Sequence, residues 1–275
     1  MRVDQKGPMP SLRVLSHAFR AWRRNLRWRK HEPETPYLAD LLSGAPTCLH
    51  VGASDGRHSY VMTQVAPKAR IFAFEPSAFS FAVLKTTLAW HRIGDRVTPV
   101  HAAVTDRTGE MLLVTPRKVT GRMGRAYAFV ADEAPVGRAR PDLEDSGLEL
   151  QPTPVITLDG FCAERGVACV DFIRMDIEGA ELKALAGARG ILDRDRPNVL
   201  LEIHPAMLAS RFDGTAEEVL EVFRRLGYRM FALNGDRLEE CSTVATDRPW
   251  KDYFFLHPSR APGLPDGVFK ARMAA

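Results

Sequence analysis

The stretch from Cys48 to Glu75, CLHVGASDGRHSYVMTQVAPKARIFAFE, sets a glycine-bearing turn and a carboxylate where a ligand could be held. Thr47 to Val51 reads as a strand, Gly52-Ala53-Ser54-Asp55-Gly56 as the turn and Arg57 to Val65 as a helix. Ile71 to Phe74 reads as a second buried strand that ends at Glu75. In an open parallel sheet, ligands bind at the carboxyl ends of the strands. Gly52, Asp55, Gly56 and Glu75 would all stand on that edge. A pyrophosphate needs G-x-G-x-x-G, so that backbone N–H groups can cradle it. Here the glycines stand as G-x-x-x-G, and Asp55 inside the turn would repel phosphate. The same carboxylate suits a ligand with positive charge, and S-adenosylmethionine, with a sulfonium, an ammonium and no phosphate, fits. Glu75, nineteen residues past Gly56, is placed to accept hydrogen bonds from two ribose hydroxyls. An ordinary βαβ unit would carry similar glycines without binding anything.

A second set of residues suits proton transfer. His204 follows the buried run VLLEI, and histidine changes charge near neutral pH. It also reads as a packing or capping residue before Pro205. Asp176 and Glu178 follow the run VDFIRM and are alternative bases or acceptor-orienting groups. Strand alternation puts Glu202 on the same side as His204. Together with Asp176 and Glu178, these two make a conceivable set of oxygen and imidazole ligands. Nothing in the sequence demands a metal, and none is assigned. Glu181 reads as negative charge at a helix N-terminus.

The elements that must position these groups alternate strand and helix. Ser77 is a plausible N-cap for a helix from Ala78 to His91, ended by Gly94. Val97 to Val104 reads as the third strand, and Ala102 and Ala103 at its end are small either to let an adenine ring lie against them or for tight packing. Met111 to Val114 is a short strand. Thr115 to Pro154 is rich in Gly, Pro and charge and lacks a period. It reads as an irregular insertion that forms a lid or part of an acceptor pocket. Thr157 opens a short helix, Val170 to Met175 is the next buried strand, and one helix runs from Ala180 to about Leu192. Val199 to Ile203 is a fifth strand. Thr215-Ala216-Glu217-Glu218 is a capping box for a helix that stops at Gly227. Tyr228 to Leu233 and Tyr253 to Leu256 are the last two strands. Such alternation means a doubly wound α/β sheet.

At 275 residues, 45% hydrophobic and 26% charged, the chain has the composition of a globular protein with a sizeable core. Its net charge of +4 conceals an asymmetry. Residues 1–30 carry nine Lys/Arg and one Asp, about +8, so the body is near −4. That argues against a nucleic-acid groove across the body. Ser11 to Lys30 reads as a basic amphipathic helix with a stripe of Leu12, Leu15, Phe19, Trp22 and Leu26. The stripe packs on the domain, packs on a second copy to make a homodimer, or lies on an anionic membrane surface or an acidic partner. Glu32 to Pro36 reads as a linker, which divides the chain into an extension (1–36), a main domain (37–258) and a loose C-terminal tail (259–275). Cys48, Cys162, Cys169 and Cys241 have no zinc or redox spacing. With no apolar run long enough to span a membrane and no apolar leader, the expectation is a cytoplasmic protein, or one peripheral to a membrane.

The motifs HVGASDG, FAFEPS, HAAVTD with a following Gly-Glu, TLD, RMDIEGAELKALAG and LLEIHP resemble, in order and spacing from about Leu42 to Leu256, the FkbM family of S-adenosylmethionine-dependent methyltransferases. DIEGAE is the most specific of them. The resemblance implies a class I methyltransferase, Rossmann-like fold: a mostly parallel seven-stranded sheet with an antiparallel last strand. It implies O-methylation of a hydroxyl on a small-molecule metabolite or a sugar or glycan. By position it gives a cofactor set of His50, Gly52, Ala53, Ser54, Asp55, Gly56, Ser59, Glu75, Pro76, Ser77, Ala102, Ala103 and Asp176. Where the family usually has an acidic residue two before the first glycine, this chain has His50, which cannot give the turn the same charge. A competing reading keeps the fold but not the catalysis, leaving a binding protein recruited by its basic helix.

Overall fold

The computed structural model describes residues 10–28, 33–116, 128–132, 147–235, 237–247, 251–261 and the backbone of Phe269–Lys270. Thirteen strands are described: β1 (Thr47–Val51), β2 (Arg70–Phe74), β3 (Val97–Val100), β4 (Ala103–Val104), β5 (Gly109–Pro116), β6 (Phe129–Ala131), β7 (Leu148–Ile156), β8 (Phe172–Met175), β9 (Asn198–Ile203), β10 (Arg229–Asn234), β11 (Arg237–Glu240), β12 (Lys251–Leu256) and β13 (Phe269–Lys270). The helices are α1 (Leu12–Asn25), α2 (Thr35–Leu41), α3 (Arg57–Val65), α4 (Ala78–His91), α5 (Leu158–Glu164), α6 (Glu181–Ala186), α7 (Arg189–Asp195), α8 (Pro205–Phe212) and α9 (Ala216–Arg225).

The main sheet has the order β13-β11-β10-β12-β9-β8-β1-β2-β3. Strands β3, β2, β1, β8 and β9 run parallel, and β12 enters antiparallel between β9 and β10. This is the class I methyltransferase arrangement of seven strands, here extended at one edge by β11 and β13. Alternation along the central strands fills two cores. Leu49, Val51, Phe72, Phe74, Ile173, Met175, Leu201 and Phe255 meet α5, α6, α7 and α9 on one face. Cys48, Ile71, Ala73, Phe172, Leu200 and Phe254 meet α2, α3 and α4 on the other. Each fully buried Val, Leu, Ile, Met or Phe among them contributes about 1.5–3 kcal/mol relative to exposure.

Several expectations need correction. The run Val97–Val104 is two strands, because after Val100 the chain leaves the main sheet and β4 joins a second sheet of order β4-β7-β5-β6. The stretch Thr115 to Pro154 is not irregular throughout. Its end belongs to the nine-residue β7, paired from Leu148 to Val155 with β5, and β6 adds an edge. Residues 117–127 and 133–146, the rest of the proposed lid, lie outside the described residues. The helix expected from Ala180 to Leu192 is broken at Gly187, where a Cβ would come within 2.0 Å of the Thr105 carbonyl oxygen. The linker expected at Glu32 to Pro36 already starts α2, since proline is tolerated in the first helical turn.

Helix α1 forms as expected, with Ser11 accepting from Val14 N–H as its N-cap, but it packs through a different face. Val14, Ala18, Ala21 and Asn25 are buried, with Val14 and Ala18 against Val83, Phe79 and Ala82 of α4. The stripe expected to pack is rotated about a third of a turn from this face, and Leu12, Phe19 and Leu26 are exposed. Small side chains let two helix backbones approach closely, so Ala18 and Ala21 decide which face docks.

Candidate active site

The glycine turn is built by its neighbours. Gly52 has φ +81°, and a Cβ there would lie 1.9 Å from the Asp176 carbonyl oxygen, so no other residue fits beside β8. Gly52 and Ala53 N–H both bond the Phe74 carbonyl, which ties the turn to the end of β2. Glu75 then takes over: Oε2 accepts from Ser54 N–H at 2.8 Å and Oε1 from Ser77 N–H at 2.9 Å. Burial pushes its carboxyl up to about 7, against the pull of those two bonds.

Between the two sheets lies a cleft of about 160 Å³. One wall is the carboxyl edge of the main sheet, with Gly52, Ser54, Glu75, Pro76, Asp176 and Glu178. Ala102, Ala103 and Val104 form its floor, and Leu113, Ala128, Phe129 and Val130 of the second sheet form the opposite wall. Two non-glycine residues on the first wall hold left-handed backbones, Ser54 (φ +48°) and Glu178 (φ +56°). Such conformations persist where surrounding structure over-determines them, and they cluster at functional sites. The Glu178 carbonyl is held by Arg211 Nη1 at 3.1 Å.

Of the sequence candidates, the structure therefore brings Gly52, Ser54, Glu75, Pro76, Ala102, Ala103, Asp176 and Glu178 to one cleft. Ala53, Gly56 and Ser77 shape it from outside, as backbone anchors and helix starts. His50 is buried beneath the turn, with Nδ1 2.7 Å from Ser59 Oγ, and its burial keeps it neutral. Asp55 is paired with Arg24 of α1 and does not line the cleft. His204 is buried behind the wall. Its Nε2 lies 2.6 Å from Glu202 Oε1 and 3.7 Å from Glu178 Oε2. Burial works against its charge, but the Glu202 bond and the neighbouring carboxylates outweigh that and raise it above its usual 6.5. Burial likewise lifts Glu178 to about 7, with His204 pulling the other way.

Sequence reasoning missed the cation at the centre of this group. Arg174 of β8 is buried, with Nη1 3.0 Å from Asp252 Oδ1 and Nη2 3.5 Å from Glu202 Oε2 and 3.7 Å from Asp176 Oδ2. Glu34, raised to about 7 by burial and by Asp252, faces the same guanidinium. The available signal was an arginine inside the otherwise apolar strand FIRM. Asp176, Glu178, Glu202 and His204 present ligand-type atoms within 4.8 Å of one another, a set that could gather a divalent cation. Arg174 already supplies positive charge to two of those carboxylates.

The description "Methyltransferase FkbM domain" matches residues 50–230. The chain belongs to the FkbM methyltransferase family, and so is a methyltransferase. Among relatives, it is 27% identical over 201 residues to the 31-O-demethyl-FK506 methyltransferase FkbM of Streptomyces tacrolimicus, covering 66% of this chain and 72% of that protein. It is 25% identical over 166 residues to the 2-O-methyltransferase NoeI of Sinorhizobium fredii, covering 55% of this chain and 60% of that protein. A crystal structure of the methyltransferase FkbM from Methylobacillus flagellatus KT superposes with a TM-score of 0.48 at 16% identity, over 89% of this chain and 59% of that one.

Proposed function

We propose that the protein transfers a methyl group from S-adenosylmethionine to a hydroxyl oxygen of a small molecule or sugar. The observation that carries this reading is the acidic wall of the cleft. Glu75, Asp176 and Glu178 face a space floored by alanines, a donor set that suits a cation with a ribose and repels phosphate. The relatives above are both named as O-methyltransferases, which supports oxygen as the accepting atom.

In this reading Glu75 accepts the ribose hydroxyls through lone pairs not used by Ser54 and Ser77. Gly52 and Ser54 present backbone to the methionyl end, and Ala103 lies against the adenine. When bound, S-adenosylmethionine supplies an electrophilic methyl: the acceptor oxygen forms the new C–O bond while the S–CH₃ bond breaks and its electron pair stays on sulfur. Glu178 takes the hydroxyl proton, because it lines the cleft and holds a pKa of about 7. His204 stands behind Glu178, not in the cleft, so its role is to set the charge of Glu178, with Glu202 holding the imidazole. Asp176 orients the acceptor. Most of the rate gain comes from positioning two bound molecules in line.

Calorimetric titration with S-adenosylmethionine and its demethylated product tests the cofactor half. Saturable binding weakened at least about tenfold by Glu75→Ala is expected, since a lost charge-assisted bond is worth about 1.5–3 kcal/mol. A folded protein that binds neither compound overturns it.

A further inference from the structure

Five large hydrophobic side chains are exposed among the described residues, and three of them lie on α1 and its cap: Leu12 at 86%, Phe19 at 49% and Leu26 at 52%. They stand seven residues apart, so they form one line along the helix. Phe19 is stacked on Trp22 at 6.0 Å, and the Arg23 guanidinium lies over the Phe19 ring at 5.9 Å. Exposed Arg20, Arg23 and Arg27 flank this line, the Arg13 guanidinium lies over Phe79 of α4, and residues 11–28 contain no acid. A different face of the helix, about a third of a turn away, is already used, through Val14 and Ala18, to hold α1 against α4.

The helix thus lies flat on the molecule with an apolar line outward and guanidinium groups along its edge. We infer that this face docks on an anionic lipid surface. A helix of this kind buries its apolar line at the boundary between headgroups and acyl chains while its cations meet lipid phosphate. A second copy of the chain is a poor occupant, because two-fold pairing of α1 would set arginines against arginines with no acid between them. Among the described residues no helix is long and apolar enough to cross a membrane, so the attachment is peripheral.

The test is co-sedimentation of the full chain with vesicles of one-third phosphatidylglycerol and two-thirds phosphatidylcholine, against vesicles of phosphatidylcholine alone. Binding should be at least about tenfold stronger to the anionic vesicles and fall as salt is raised. Phe19→Glu/Leu26→Glu should lose it while keeping the circular dichroism spectrum and melting temperature, since both side chains are outside the packed face. Failure of the wild-type chain to sediment with anionic vesicles overturns the proposal, as does equal binding by the double variant. Light scattering that shows a dimer split by the same two substitutions would overturn it in favour of a second copy.

Discussion

Arg24 in the last turn of α1 closes an ion pair on Asp55, the carboxylate inside the glycine turn. Two segments 31 residues apart in sequence are joined next to the cleft, and the turn's charge is neutralised by a helix outside the main sheet. Both side chains are partly exposed, so the pair is worth little to stability. We predict that Arg24→Ala changes unfolding free energy by less than about 1 kcal/mol. It should nevertheless tighten binding of a cationic ligand by about two- to fivefold at low salt, because Asp55 is then uncompensated. Calorimetry on Arg24→Ala and Arg24→Ala/Asp55→Asn checks this; equal affinities for both variants would contradict it.

The pair Glu178 and His204 gives a prediction about pH. Transfer to a hydroxyl needs Glu178 unprotonated, so the rate should rise through an apparent pKa of about 7. Positive charge on His204 pulls Glu178 down. His204→Asn removes that pull, and the rising limb should move to higher pH. Glu178→Gln should cut the rate by about 10²–10⁴. The pH profile of kcat/KM for the three proteins is the measurement, and an unshifted limb in His204→Asn would remove His204 from the mechanism.

Arg174 compensates Asp176 just past β8, Glu202 of β9 and Asp252 of β12. In Arg174→Met, Asp176, Glu202 and Asp252 are left facing one another in a buried place, and we predict a loss of about 3–5 kcal/mol. The loss should be smaller in acid, where the carboxylates can bind protons. Burial raises Asp176 and Asp252 above the usual carboxylate range, so urea unfolding near pH 5 and near pH 8 reads it out.

Glu181 is fully buried, with Oε1 accepting from Gly179 N–H at 2.9 Å and, among the described residues, no hydrogen-bond partner for Oε2. Burial raises its pKa from about 4.5 to about 7. The folded state therefore keeps a proton that the unfolded chain gives up, and this contribution to stability is lost as pH rises between those two values. Glu181→Gln carries no such proton and can still accept from Gly179. Its melting temperature should fall less than that of the wild type across this window, and an identical slope in thermal unfolding would refute the assignment.

What the sequence disclosed was local. The glycine turn, Glu75 at the end of a buried strand and the capping box at Thr215 depend on residues within one or two elements, and each forms as expected. The β7 strand was hidden because LELQPTPVI carries two prolines, which mark an edge or a break in a sequence but are accommodated here in a small side sheet. The docking face of α1 was misread because hydrophobic periodicity ranks Leu, Phe and Trp above alanine, whereas close helix approach favours Ala18 and Ala21. The Arg174 network was invisible for a different reason. Asp252 lies opposite Glu202 across the antiparallel β9–β12 pair, and no spacing in the chain announces that register.

The two walls of the cleft belong to different sheets, and this makes the protein modular in the engineer's sense. Glu75, Gly52 and Asp176 hang from the main sheet, while Leu113, Phe129 and Val130 hang from β5 and β6. A chimera that takes residues 109–156 from a relative would exchange one wall and leave the glycine turn, Glu75 and the Arg174 network untouched. In the function proposed above that wall selects the acceptor, so a graft that keeps Gln151, which bonds the Pro76 carbonyl and Ala78 N–H, should change the acceptor while leaving Glu75 in place.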